Sequence, residues 1–209
     1  TNEGGIVGSK SGNTTLTDNY YDATVCASAS SNCASTELAM ARGLTTTQMQ
    51  SVGTYLRTGN WDFVTAWTTP GQVYTGQYPT LQWEAGQSAF SPSYAGGDGS
   101  AANPFQISTV NQLYSLMLDG SRWTASMNFA LTANIDMANA VFSPIGNSTT
   151  KFNATFNGAG FTISNVNLPG NASDSTNVGM FGYIGATGTV KNFNVNTDRK
   201  STRLNSSHT

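Results

Sequence analysis

Thr162-Ile163-Ser164-Asn165-Val166-Asn167-Leu168 and Thr189-Val190-Lys191-Asn192-Phe193-Asn194-Val195 follow one pattern: threonine, apolar, polar, asparagine, apolar, asparagine, apolar. They begin twenty-seven residues apart. Ahead of the second copy, Gly179-Met180-Phe181-Gly182 precedes Thr189-Val190-Lys191-Asn192, which starts ten positions after the first glycine; Gly5-Ile6-Val7-Gly8 precedes Thr15-Leu16-Thr17-Asp18 at the same offset. A fixed period of about 20–50 residues marks a repeat architecture, in which each unit completes its core only by stacking on the next. Phe156, Ile163, Val166 and Leu168 stand in short runs broken by Thr and Asn, with no sustained helical spacing. Gly158, Gly160, Gly179, Gly182, Gly185 and Gly188 punctuate those runs where the chain must turn. The expected fold class is all-β, with right-handed parallel β-helix (solenoid) segments and short capping helices. In this alignment Asn165 and Asn192 sit one coil apart, and they either stack as an amide ladder or cap two separate turns.

Only 10% of the 209 residues are charged, and Ser, Thr, Asn and Gly are abundant. A neutral polar surface of this kind excludes nucleic-acid binding, which needs clustered Lys and Arg. No apolar run reaches the length that spans a membrane. The chain starts without a signal peptide, inside a repeat cassette, and reads as a fragment. Residues 198–209, Asp-Arg-Lys-Ser-Thr-Arg-Leu-Asn-Ser-Ser-His-Thr, break with everything before them and carry His208, the only histidine. They read as the translation of a sequencing adapter joined to the frame, the alternative being a natural basic tail, and are set aside from fold reasoning.

Cys26 and Cys33 bracket a Ser/Ala-rich segment. With no histidine nearby they make a poor zinc site; a local disulfide in an oxidising, exported location is the favoured reading, and two unlinked thiols the alternative.

Residues 1–83 read as the last coil and cap of an upstream β-helical module, 84–95 as a Gly/Ser/Pro-rich linker, and 96–197 as the start of a second module. Thr45 with Gln48 and Thr109 with Gln112 have capping-box spacing. The first predicts a helix running to about Arg57, with Met49, Val52 and Leu56 on one side and Gly59-Asn60 ending it. The second predicts a helix whose Leu113, Leu116 and Met117 face inward. Phe105-Gln106-Ile107 and residues 129–135 are expected strands. Trp61, Trp67, Tyr78 and Trp83 are candidates either for stacking on sugar rings or for covering the exposed end of the core.

Several segments then match a known kind of protein. Gly96-Gly97-Asp98-Gly99-Ser100 with Asn103-Pro104-Phe105-Gln106-Ile107-Ser108-Thr109, Leu131-Thr132-Ala133-Asn134-Ile135-Asp136-Met137, Phe142-Ser143-Pro144-Ile145-Gly146 and residues 156–165 resemble the opening of bacterial surface proteins carrying the GLUG motif. The motif itself resembles Gly5-Ile6-Val7-Gly8 and Gly179-Met180-Phe181-Gly182. Gly43-Leu44-Thr45-Thr46-Thr47-Gln48-Met49, Trp61-Asp62-Phe63 and Tyr78-Pro79-Thr80-Leu81 are similar to segments of filamentous-haemagglutinin-like adhesins. Phe161 departs from that pattern, which commonly has His there. The resemblance implies a secreted or surface-attached bacterial β-helix of adhesin type, and no catalytic residues.

The residues themselves point the same way on catalysis. A Ser/His/Asp set has no natural histidine to use, and neither a metalloprotease nor a nucleotide-loop motif occurs. A glycosidase needs two facing carboxylates, yet Asp136 and Asp174 fall in different coils. Asp98 in its glycine-rich loop is either a turn residue or one ligand of a weak calcium site. The sequence-based expectation is therefore no enzyme, no cofactor, no metal and no nucleic acid. The chain would be an adhesin-like segment contacting host or matrix glycans or proteins, or else a passive spacer of a larger exoenzyme.

Overall fold

The computed structural model describes residues 20–24, 42–58, 61–69, 73–84, 90–168 and 178–196. Gly5-Ile6-Val7-Gly8, Cys26, Cys33, Asp174 and residues 198–209 lie outside the described residues. The elements are β1 (Tyr20–Asp22), β2 (Arg42–Leu44), α1 (Thr46–Met49), α2 (Val52–Thr58), β3 (Trp67–Thr68), β4 (Thr80–Leu81), β5 (Phe105–Ile107), α3 (Val110–Leu118), β6 (Asn128–Leu131), β7 (Ile135–Asp136), β8 (Thr155–Asn157), β9 (Thr162–Ser164), β10 (Thr189–Lys191) and β11 (Asn194–Val195).

This corrects the expected fold class. The molecule is not the all-β solenoid that the repeats suggested but a mixed α/β structure, in which small sheets of two- to four-residue strands share one core with α-helices. Helices form because both capping boxes close. Thr45 Oγ1 accepts from Gln48 N while Gln48 Oε1 accepts from Thr45 N, and Thr109 and Gln112 repeat the arrangement. Each N-cap contributes about 1 kcal/mol. The single helix expected up to Arg57 is interrupted at Ser51, which leaves the helical path to bridge Thr75 in antiparallel fashion. In α3, Leu113, Leu116 and Met117 are buried as their spacing predicts.

The two largest sheets are parallel, and their strands alternate along the chain from β6 to β11. One has the order β5-β6-β8-β10 and the other β7-β9-β11. The expected strand over 129–135 is split at residues 132–134, so that β6 and β7 belong to different sheets. Alternation along each strand turns one residue in two inward: Phe129, Leu131, Phe156 and Ile163 are buried while Asn128, Ala130, Thr155 and Asn157 are half-buried. Register aligns Phe105, Phe129, Phe156 and Val190 in one column and Ile135, Ile163 and Val195 in the other. Packed on the first column, Phe152 lies 6.3 Å from Phe129 and 5.0 Å from Phe181, ring centre to ring centre. Full burial of each such side chain stabilises by about 1.5–3 kcal/mol.

The register also corrects the repeat alignment. Thr189 pairs with Thr155 and Asn194 with Thr162, so the two seven-residue copies meet only through Asn194-Val195 on Thr162-Ile163 and not in the register of their alignment. Asn165 Nδ2 instead donates to Asp136 Oδ1 at 2.8 Å, and Asn192 Nδ2 to Asn157 Oδ1 at 3.3 Å; these contacts span 29 and 35 residues. What the copies do share is conformation. Asn165 and Asn192 both follow a strand and both adopt a left-handed backbone, with φ of 51° and 56°. Asn tolerates that region better than most residues, so the matching asparagines mark equivalent corners. The loops between corners differ in length, and the spacing between stacked positions changes with them.

The segment holding α1 and α2 docks on this stack. Gly53 lies so close to Val141 that a Cβ would come within 1.9 Å of the Val141 carbonyl oxygen. Beside it, Ser51 Oγ donates to the Val141 carbonyl at 2.9 Å, and Tyr114 Oη donates to the same oxygen. Tyr74 N donates to Asn111 Oδ1 at 3.2 Å. Of the segment read as a linker, the described part also packs: Tyr94 stacks on Phe105 at 4.7 Å, and Ala95 N donates to the Gln106 carbonyl at 2.8 Å.

Candidate functional site

An open groove of about 650 Å3 lies where β8 and β10 end, lined by Asn157, Ala159, Gly160, Asn192, Phe193 and Asn194. Its walls are built by the corner conformations. Asn157 closes β8 and accepts the Ala159 N–H through Oδ1 at 3.0 Å, and the chain reverses through Ala159 and Gly160, with φ of 49° and 85°. Gly158 N donates to the Lys191 carbonyl at 2.8 Å and Gly160 N to the Asn192 carbonyl at 2.7 Å, which stacks this corner on the one after β10. The approach is so close that a Cβ on Gly158 would lie 1.7 Å from Phe193 Cβ. Gly160, by contrast, faces open space: a Cβ there would meet nothing within 4 Å.

No lining residue carries a charge or titrates near neutral pH. The Asn157 and Asn192 amides stand side by side, joined by their 3.3 Å contact, and Phe193 is half-buried with an edge-on contact to Phe156 at 5.3 Å. Among the described residues, Asn157 Nδ2, Asn192 Oδ1 and the Asn194 amide have no protein partner. The groove is equipped to exchange neutral hydrogen bonds and apolar contact, and it holds no acid, base or nucleophile.

The four aromatic candidates are divided by the structure. Trp61 is sandwiched, with Tyr55 at 4.6 Å on one side and Trp67 at 4.2 Å on the other, so its faces are occupied within the core. Tyr78 is exposed and donates to Asp22 Oδ2 at 2.8 Å, while Trp83 is 77% exposed. Met180 is buried and Phe181 half-buried, packed on Phe152 and Phe156; Gly182 N donates to the Ile145 carbonyl at 2.8 Å, and Gly179 adjoins them. The described cassette is thus structural.

The acids serve turns and one buried network. Asp98 accepts the Ser100 N–H at 2.9 Å and Asp136 accepts the Ala138 N–H at 2.9 Å. Hydrogen bonds from Ser100 hold the Asp98 carboxyl below its usual range, and those from Ala138 and Asn165 do the same for Asp136. Among the described residues no three His, Cys, Asp or Glu gather as a metal site. Asp119 is buried at the end of α3, where it accepts from Tyr94 Oη at 2.9 Å and Ser121 Oγ at 2.8 Å and pairs with Arg122 at 2.7 Å. Burial, then the Asp119 charge, push the Tyr94 phenol up.

The groove was missed by sequence reasoning. The repeat alignment singles out Asn192 but pairs it with Asn165. The signals that point to the groove are asparagine at consecutive strand ends and the Asn157-Gly158-Ala159-Gly160 run.

No family model matches the chain, and no solved structure matches it. Two curated proteins are similar to part of it. One, under the name Gly-rich membrane protein, from Evansella cellulosilytica, is 31% identical over 113 residues, which is 53% of this chain and 13% of that protein. The other, halomucin from Haloquadratum walsbyi, is 30% identical over 109 residues, 47% of this chain and 1% of that protein. The chain thus spans a small share of the length of both relatives. Neither name is that of a GLUG-motif or haemagglutinin-like protein. Among the described residues no helix is long and apolar enough to cross a membrane.

Proposed function

We propose that this chain is a non-catalytic segment of a secreted or cell-surface protein of adhesin type, which presents an uncharged polar surface to glycans or matrix proteins. The observation that carries this reading is the open groove whose lining holds three asparagines and an aromatic ring and not one charged group. Uncharged amides bind hydroxyl- and amide-rich partners without a charge to desolvate. The names of the two similar proteins, a Gly-rich membrane protein and a halomucin, support a location at or outside the cell surface. Their far greater length supports one segment among many in a long polypeptide.

Screening the chain against a glycan array and immobilised matrix proteins tests the proposal. Saturable binding to at least one ligand is expected. The absence of binding to every ligand at high micromolar protein overturns it and leaves the segment a passive spacer.

A further inference from the structure

We infer that the groove at the β8 and β10 corners is a subsite for neutral pyranosides, held by the Asn157–Asn192 amide pair and Phe193, and that it rejects acidic sugars. This inference rests on the proposed function and names its ligand class and location.

The two side-chain amides are held in fixed relation. Asn157 Oδ1 is engaged by Ala159 N and by Asn192 Nδ2, and this leaves Asn157 Nδ2 as a donor and Asn192 Oδ1 as an acceptor in one groove. A donor and an acceptor presented in one groove suit sugar hydroxyls, each of which both accepts and donates. The corner that carries Asn192 is fixed, because its backbone is held left-handed at φ 56° and its carbonyl accepts from Gly160 N. Such preorganisation reduces the ordering cost of binding. Phe193 adds an apolar surface beside the amides, of the kind the C–H face of a pyranose ring covers, and Asn194 lines the same wall. Gly160 keeps the mouth open.

Selectivity follows from what the lining lacks. A uronate or sialic acid carboxylate brought into the groove loses water and meets no Lys or Arg among the lining residues; exposed Lys191, in register with Asn157 beside the groove, offers a water-screened pair that recovers little of that cost. Neutral hexoses carry no such penalty.

The test uses the full chain with cellohexaose, maltohexaose and mannohexaose as neutral probes, trigalacturonate as the acidic probe, and matrix protein as a separate arm. Asn157→Asp keeps the acceptor for Ala159 N, removes the free donor and adds a charge; Asn192→Gly keeps the left-handed corner and removes the amide. Binding of at least one neutral hexaose, with tenfold or greater loss in both variants at unchanged circular dichroism and no binding of trigalacturonate, supports the inference. Neutral binding that both variants retain within twofold overturns the groove assignment while the proposed function stands. Binding of trigalacturonate alone overturns the neutral class. Binding of matrix protein without any glycan overturns the inference and keeps the adhesive reading, and binding of nothing overturns both. Should either variant lose its folded spectrum, Asn194→Ala replaces it, with a threefold or greater loss expected and unchanged affinity counting against the site.

Discussion

Gly158→Ala reaches the fold and the groove together. The added Cβ would lie 1.7 Å from Phe193 Cβ, 2.5 Å from Phe193 Cα and 2.6 Å from the Asn192 carbonyl oxygen. Two of those atoms are backbone, so no rotamer change relieves the clash. An ordinary contact begins near 3.4 Å, and the corner after β10 must therefore lift by a large part of the difference. Such a shift breaks the Gly158 N to Lys191 and Gly160 N to Asn192 bonds, now 2.8 and 2.7 Å long. Overpacking costs about 1–3 kcal/mol and two lost hydrogen bonds about 0.5–1.5 kcal/mol each, so a loss of about 3 kcal/mol is expected. For a chain of this size that lowers Tm by about 6–12 °C. Phe193→Ala in the same chain should not rescue it, because the Cβ and backbone atoms that clash remain. Thermal denaturation followed by circular dichroism measures both variants. A fall smaller than about 2 °C for Gly158→Ala, or full rescue by Phe193→Ala, refutes the stacking described here.

Other perturbations follow from the same contacts. Arg122→Ala leaves the buried Asp119 carboxylate with only Tyr94 and Ser121, and is expected to cost about 2–4 kcal/mol in urea denaturation; Asp119→Asn, which brings no charge to bury, should cost less. Trp61→Ala opens the stack between Tyr55 and Trp67 and should cost about 3 kcal/mol, whereas Trp83→Ala, at 77% exposure, should shift Tm by less than about 2 °C. For pH, the carboxyls of Asp62, Asp98 and Asp136 are held below their ordinary 3.8 by hydrogen bonds, chiefly from Thr65, Ser100 and Ala138 respectively. Their contribution is fully present above pH 3.8 and is lost as pH falls through the lower folded values, so Tm should stay level toward neutral pH and decline below about pH 4. At the alkaline end, burial pushes the Tyr74 phenol up to about 12 from 10.0; stability should be complete below pH 10 and fall as pH rises toward 12, seen as late phenolate absorbance coincident with unfolding.

Much of the local structure was legible from short-range chemistry. Thr45 with Gln48 and Thr109 with Gln112 announced both helix starts, because a capping box involves residues only three apart. The inward set Leu113, Leu116 and Met117 followed from periodicity. The pairing of distant segments was not legible. Asn165 and Asn192 look like repeat partners because each needs the same left-handed corner, but register is set by which backbones meet across loops of unequal length. Ser51 leaves the helix to reach Thr75 and the Val141 carbonyl, a tertiary contact that no local pattern encodes. The groove was hidden for the same reason: Gly158 and Phe193 touch only once β10 has paired with β8. Repeats and glycines suggested an all-β fold, yet α2 and α3 supply Val52, Tyr55, Leu113 and Leu116 to the core.

The central claim is that the uncharged groove of this chain binds neutral glycans. Isothermal titration of the full chain with cellohexaose, maltohexaose and mannohexaose at about 0.05 M and about 0.5 M salt tests it, because the higher salt shortens electrostatic reach severalfold. The account predicts saturable binding of at least one hexaose, with affinities at the two salt concentrations agreeing within about twofold. No saturable heat with any of the three up to about 1 mM, or a weakening of about tenfold at high salt, contradicts it.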